Sequence, residues 1–126
     1  MTSNFFVRDR NNYATSLVIL KRFEEAKSVL RKTIPIARRL VGEDHELCLG
    51  MRMNYGRVLC QVDGATLDDF REAVSTLEEI ERTARRVLGG AHPLAVDIER
   101  YLRNARATLA ARETQPRSKP PPSETV

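Results

Sequence analysis

The sequence is poor in the residues on which most site chemistry is built. Its 126 residues include no tryptophan, two cysteines, two histidines and six glycines. So few glycines leave little material for a phosphate-cradling loop, and two cysteines cannot make a disulfide scaffold. Cys48 and Cys60 stand twelve positions apart in what reads as one helix. That is about 18 Å of rise, whereas a disulfide needs Cα atoms within roughly 7 Å. Free thiols, and no secretory-type apolar stretch in residues 1–10, are expected of a reducing, cytoplasmic setting. His45 and His92 have no second His or Cys three or four positions on, so no zinc set is expected. No apolar run approaches the roughly 18 residues of a membrane span. Charge of one sign is lacking too. Lys plus Arg is 21 and Asp plus Glu is 17, a net +4 that is too slight to argue for nucleic acid without a basic cluster on one face. No nucleophile, base and oxyanion donors converge, so the expectation is a protein without catalytic activity, cofactor or small-molecule substrate.

What is present is an internal repeat. Ala37-Arg38-Arg39-Leu40-Val41-Gly42 and His45 return 47 positions later as Ala84-Arg85-Arg86-Val87-Leu88-Gly89 and His92. Phe23, Glu25-Ala26 and Leu30 return at the same offset as Phe70, Glu72-Ala73 and Leu77. Asn12-Tyr13, however, returns as Asn54-Tyr55, only 42 positions on. The difference is five residues inserted between Leu59 and Phe70, around the turn-rich stretch 63–69. The basic unit is therefore 42 residues long. A third copy begins after Leu94 and stops at its half.

Each half-unit carries an apolar stripe at steps of three and four. The first stripe is Phe6, Tyr13, Leu17 and Leu20. The second is Phe23, Ala26, Leu30, Ile34, Ala37 and Val41. The third is Leu47, Met51, Tyr55, Val58 and Val62, and the fourth Phe70, Ala73, Leu77, Ile80, Ala84 and Val87. The fifth is Leu94, Ile98, Leu102, Ala105 and Leu109. Five helices are expected, with no strand. Gly42 and Gly89 stand just past the second and fourth stripes, where helix ends favour glycine. Pro93 suits a first turn, and Asp44 and Thr66 suit N-caps. Glu24 and Glu25 open the second helix and Arg38 and Arg39 close it, while Asp68, Asp69 and Glu72 open the fourth and Arg82, Arg85 and Arg86 close it. That order complements the helix dipole and accounts for the arginine pairs without a ligand. Pro35 falls inside the second helix, where a kink is expected rather than a break, because the stripe continues in phase. Residues 114–126 hold four prolines and one hydrophobic residue, and read as a disordered tail behind a repeat domain spanning 1–113.

Helix pairs at a fixed period stack because one pair cannot bury its own face. Asn12-Tyr13-Ala14, Leu17, Phe23-Glu24-Glu25-Ala26, Leu30, Ile34 and Gly42-Glu43-Asp44-His45 resemble the kinesin-light-chain type of tetratricopeptide repeat over roughly residues 4–110. The sequence departs from that pattern at Lys21, where the family has a turn glycine, at Glu46, where it has proline, and at Gly90-Ala91, where it has Pro-Asp. The resemblance implies an all-α, right-handed α-solenoid of stacked antiparallel helix pairs, about two units plus a C-terminal capping helix. HEAT or armadillo repeats overlap in period, but Ala26 and Ala73, just after the turns, favour the tetratricopeptide reading.

Such an array offers a concave face lined by the first helix of each pair, here about 4–20, 44–62 and 92–112. Opposite the packing residues lie Asn12, Thr15, Asn54, Arg57, Gln61, Tyr101 and Asn104. Asparagine amides both donate and accept, which suits an extended peptide backbone, and Arg57 suits a carboxylate of a partner. The resemblance points to Asn12 and Asn54 as groove asparagines, with Tyr101 in the matching place of the third copy. The expectation is a protein-interaction scaffold holding a partner's peptide. The alternative is RNA or another polyanion on Arg52, Arg57, Arg100, Arg103 and Arg106. With Phe5 and Phe6 near an uncapped first end, the chain is expected either to extend a longer array or to self-associate there.

Overall fold

The steps of three and four form five helices among the described residues. The structure, a computed structural model, describes residues 2–114. The helices are α1 (Thr2–Ile19), α2 (Phe23–Val41), α3 (Glu46–Leu59), α4 (Leu67–Val87) and α5 (Pro93–Thr114), with no strand among those residues. The chain is an all-α helical array, as the repeat implies. The expected tail lies outside the described residues, apart from Thr114, which closes α5. α2 runs through Pro35 as one helix.

The repeated histidine has a local cause. His45, not Asp44, caps α3, because its Nδ1 accepts the Leu47 N–H at 3.0 Å. Asp44 instead meets Arg86 at 3.4 Å. His92 repeats the device on α5, accepting the Leu94 N–H at 3.0 Å. Thr66 caps α4 as expected, in a capping box with Asp69. At the end of α1 the Arg22 N–H bonds Leu17 O and the Lys21 N–H bonds Val18 O, the two bonds of a Schellman motif. Lys21 therefore takes a left-handed φ of 62°, where the family pattern places glycine.

α3 is the hub. It touches every other helix, α1 also rests on α2, and α4 rests on α5. One core joins Val7, Ala14 and Leu17 of α1 to Leu30 and Ile34 of α2 and to Met51 and Val58 of α3. A second joins Leu49 and Met53 of α3 to Leu77 and Ile80 of α4 and to Ile98 and Leu102 of α5. Small residues set the spacing. Ala26 and Ala73 are fully buried, and a Cβ on Gly56 would lie 2.9 Å from Leu77 Cγ. The first helices α1, α3 and α5 touch in series, whereas α2 and α4 do not touch. The tighter first-helix layer is thus the inner side of the array.

Four expected packing residues are corrected: Phe6, Tyr13, Leu20 and Val87 are exposed. Periodicity places a residue on a face, but it cannot say whether another element covers that face. On α1 the covered side runs instead through Val7, Ala14, Leu17 and Val18.

Candidate binding groove

A polar ladder crosses the inner layer. Asn54, 3% exposed, donates through Nδ2 to Asn11 Oδ1 and to Thr15 Oγ1, each at 3.0 Å. Its Oδ1 accepts from Arg57 Nη1 at 3.3 Å. The Arg57 guanidinium lies 4.5 Å from the centroid of the Tyr101 ring, a cation–π distance. Side chains from α1, α3 and α5 are thereby linked in one line. Both Asn54 N–H donors are satisfied within the protein, so this amide is a strut between first helices rather than a free grip.

Beyond Arg57 the layer opens into a trough of about 280 Å³ between α3 and α5. Arg57, Gln61, Tyr101, Asn104 and Thr108 form its polar wall, and Phe70 and Leu77 of α4 and Ala105 of α5 its apolar part. Gly56 opens the near end by leaving Leu77 room. At the far end Arg112 lies 4.8 Å from the Phe70 ring and donates to Ala65 O at 3.2 Å. Arg57 meets no carboxylate within 4.0 Å among the described residues, whereas Arg100 is held by Asp97 at 2.9 Å and Arg106 by Glu78 at 2.8 Å. A guanidinium presents five N–H donors. Those of Arg57 beyond the long Asn54 bond face a half-apolar trough, a setting suited to a carboxylate. Cys60 also lines the trough, where burial, with a smaller effect of Asp69, pushes its thiol up to about 11 and makes it a poor nucleophile.

The structure thus brings together Arg57, Gln61, Tyr101 and Asn104, and places Thr15 and Asn54 beneath them as bracing. Asn12 is exposed and makes none of these bonds. Its neighbour Asn11 holds Asn54 instead. Sequence reasoning missed Asn11, because Asn11 and Asn12 are adjacent and alike, and only the fold shows which of them faces α3. The five arginines of the polyanion reading do not act as one patch. Arg52 is buried and paired with Glu79 at 2.9 Å, and Arg100 and Arg106 are paired as above. No described helix is long and apolar enough to cross a membrane.

Compared with family models, residues 10–46 match the tetratricopeptide repeat. The match covers the latter half of α1, all of α2 and the histidine cap of α3. No curated protein and no solved structure matches the chain. Tetratricopeptide repeats are in general protein–protein interaction modules.

Proposed function

We propose that the chain is a non-catalytic scaffold that holds an acidic, partly apolar peptide segment of a partner in the trough between α3 and α5. The observation that carries this reading is Arg57, which is held in place by Asn54 and Tyr101 and meets no carboxylate among the described residues. A partner's Asp or Glu side chain completes it, while neighbouring apolar side chains of the same segment cover Phe70, Leu77 and Ala105. Gln61 and Asn104 offer amides to the peptide backbone. Asn12 stands outside the trough on the exposed side of α1, and Thr15 serves it only by bracing Asn54. The kinesin-light-chain type of repeat belongs to this reading, supported by the 42-residue unit and by the two capping histidines. Repeat domain 1–113, Pro-rich tail 114–126 and a cytoplasmic location, consistent with two free thiols, complete it.

Selection of a random peptide library on the chain tests the proposal. Selected peptides are expected to share an acidic position flanked by apolar residues, and R57Q is expected to weaken them at least about tenfold. R57E should select basic peptides in their place. Selected peptides with no acidic preference, or equal binding to R57Q and to Tyr101→Ala, would refute the groove assignment. A steep loss of affinity with salt for polyphosphate or RNA, retained in R57Q, would favour the polyanion reading.

A further inference from the structure

α1 rests on α2 and α3 through one side only. Its other side, with Leu20 just past its end, exposes five large apolar side chains: Phe5 (70%), Phe6 (38%), Tyr13 (47%), Ile19 (72%) and Leu20 (63%). At 100° per residue these share one arc with Asp9, Asn12 and Ser16, opposite buried Val7 and Val18. The arc is apolar at both ends, Phe5-Phe6 and Ile19-Leu20, and polar between them.

We propose that this face of α1 binds the same face of a second copy of the chain, antiparallel, to make a two-fold dimer. Apolar ends meet in either direction, and it is the Asp9 charge that favours the antiparallel one. Antiparallel docking about a dyad near Asn12 and Tyr13 lays Phe5 and Phe6 of one copy on Ile19 and Leu20 of the other, twice over. It also sets each Asp9 near Ser16 of the second copy. Parallel docking would bring the two Asp9 carboxylates to one level and leave both aromatic ends facing their own kind. Asn12 near the dyad fixes the register as a buried asparagine does in paired helices. The area suffices. The five side chains expose about 600 Å² per copy, on the order of 1,200 Å² for the pair, the lower bound for a specific interface. Head-to-tail stacking fits worse, because α5 at the other end exposes a single large apolar side chain, Val96.

Sedimentation velocity over a concentration series tests the assembly. The chain is expected to pass from monomer to dimer, and Phe5→Glu and Ile19→Glu, each on an exposed position, to raise the dissociation constant about tenfold or more. Circular dichroism confirms that each variant keeps its helices, and Leu20→Lys replaces either that does not. A chain that stays monomeric at the highest concentration, or a dimer untouched by all three substitutions, overturns the proposal. Crosslinking fixes the direction, in a Cys60→Ser background. A Phe5→Cys chain mixed with a Leu20→Cys chain should form the mixed disulfide. Self-linked Phe5→Cys without the mixed product would overturn the antiparallel arrangement.

Discussion

Asn54→Ala separates a strut from a ligand grip. The substitution removes two bonds of 3.0 Å, to Asn11 and Thr15, and a longer one from Arg57. A neutral buried bond contributes about 1 kcal/mol net, and the long bond to the half-buried Arg57 adds less. The missing amide also leaves a small void where the native side chain is 3% exposed. The expected loss is about 2–3 kcal/mol, or roughly 8–12 °C in Tm for a domain of this size. Thermal melts and urea unfolding read it directly. A double-mutant cycle with Thr15→Ala should return a coupling of about 1 kcal/mol. Peptide affinity should fall too, because Arg57 loses the acceptor that aims it, but R57Q should weaken binding without the loss of stability. A variant that melts within about 2 °C of the parent while binding is abolished would refute the strut and return Asn54 to the peptide.

Lys21→Gly should raise stability by about 0.5–1 kcal/mol, read by thermal melt. A left-handed side chain costs about 1–2 kcal/mol, and the looser unfolded glycine returns part of the gain. Gly56→Ala should cost about 1–3 kcal/mol in urea unfolding, because its Cβ meets Leu77 Cγ at 2.9 Å. Cys60, raised from the ordinary 9.0 to about 11, should alkylate far more slowly in the native chain than in urea at pH 8. Its neutral form supports the fold below pH 9.0, and that support should fade as the pH climbs toward about 11. Thr66→Ala should cost about 1 kcal/mol. The Thr66 backbone N–H holds the Asp69 carboxyl below the usual range, so the capping box supports the fold at neutral pH and fades as acid protonates Asp69.

The helices and their pairing were legible because burial repeats at helical steps and the 42-residue unit recurs, with five residues inserted in its second copy and only half of a third. The capping histidines were visible only as a repeat. Asp44 is the better N-cap by type, and only the position of the His45 ring shows which side chain takes the Leu47 N–H. The exposure of Phe6, Tyr13 and Leu20 was illegible for a different reason: a stripe encodes affinity for a neighbour, and the neighbour is not in the stripe. Asn54 misled through its polarity, since a polar residue reads as exposed until its partners Asn11 and Thr15 are known.

The groove was half legible, and the reason lies in the place of α3. A helix surrounded by four others cannot leave polar groups without partners. Asn54 is therefore tied to α1, and Arg52 to Glu79 of α4. Beyond the exposed Glu46 at its start, α3 turns polar groups toward open space at its C-terminal end, at Arg57 and then at Gln61 just past it. The same end feeds the connection 60–66, which with the first turn of α4 carries the second unit's five extra residues. Ala65 of that connection accepts a bond from Arg112, which covers Phe70 of the trough. The departure from the repeat and the trough thus lie side by side. Shortening the connection to the length of its counterpart 20–22 would release Arg112 and uncover Phe70. On the proposed reading, trough selectivity then depends on the part of the chain that the repeat does not dictate.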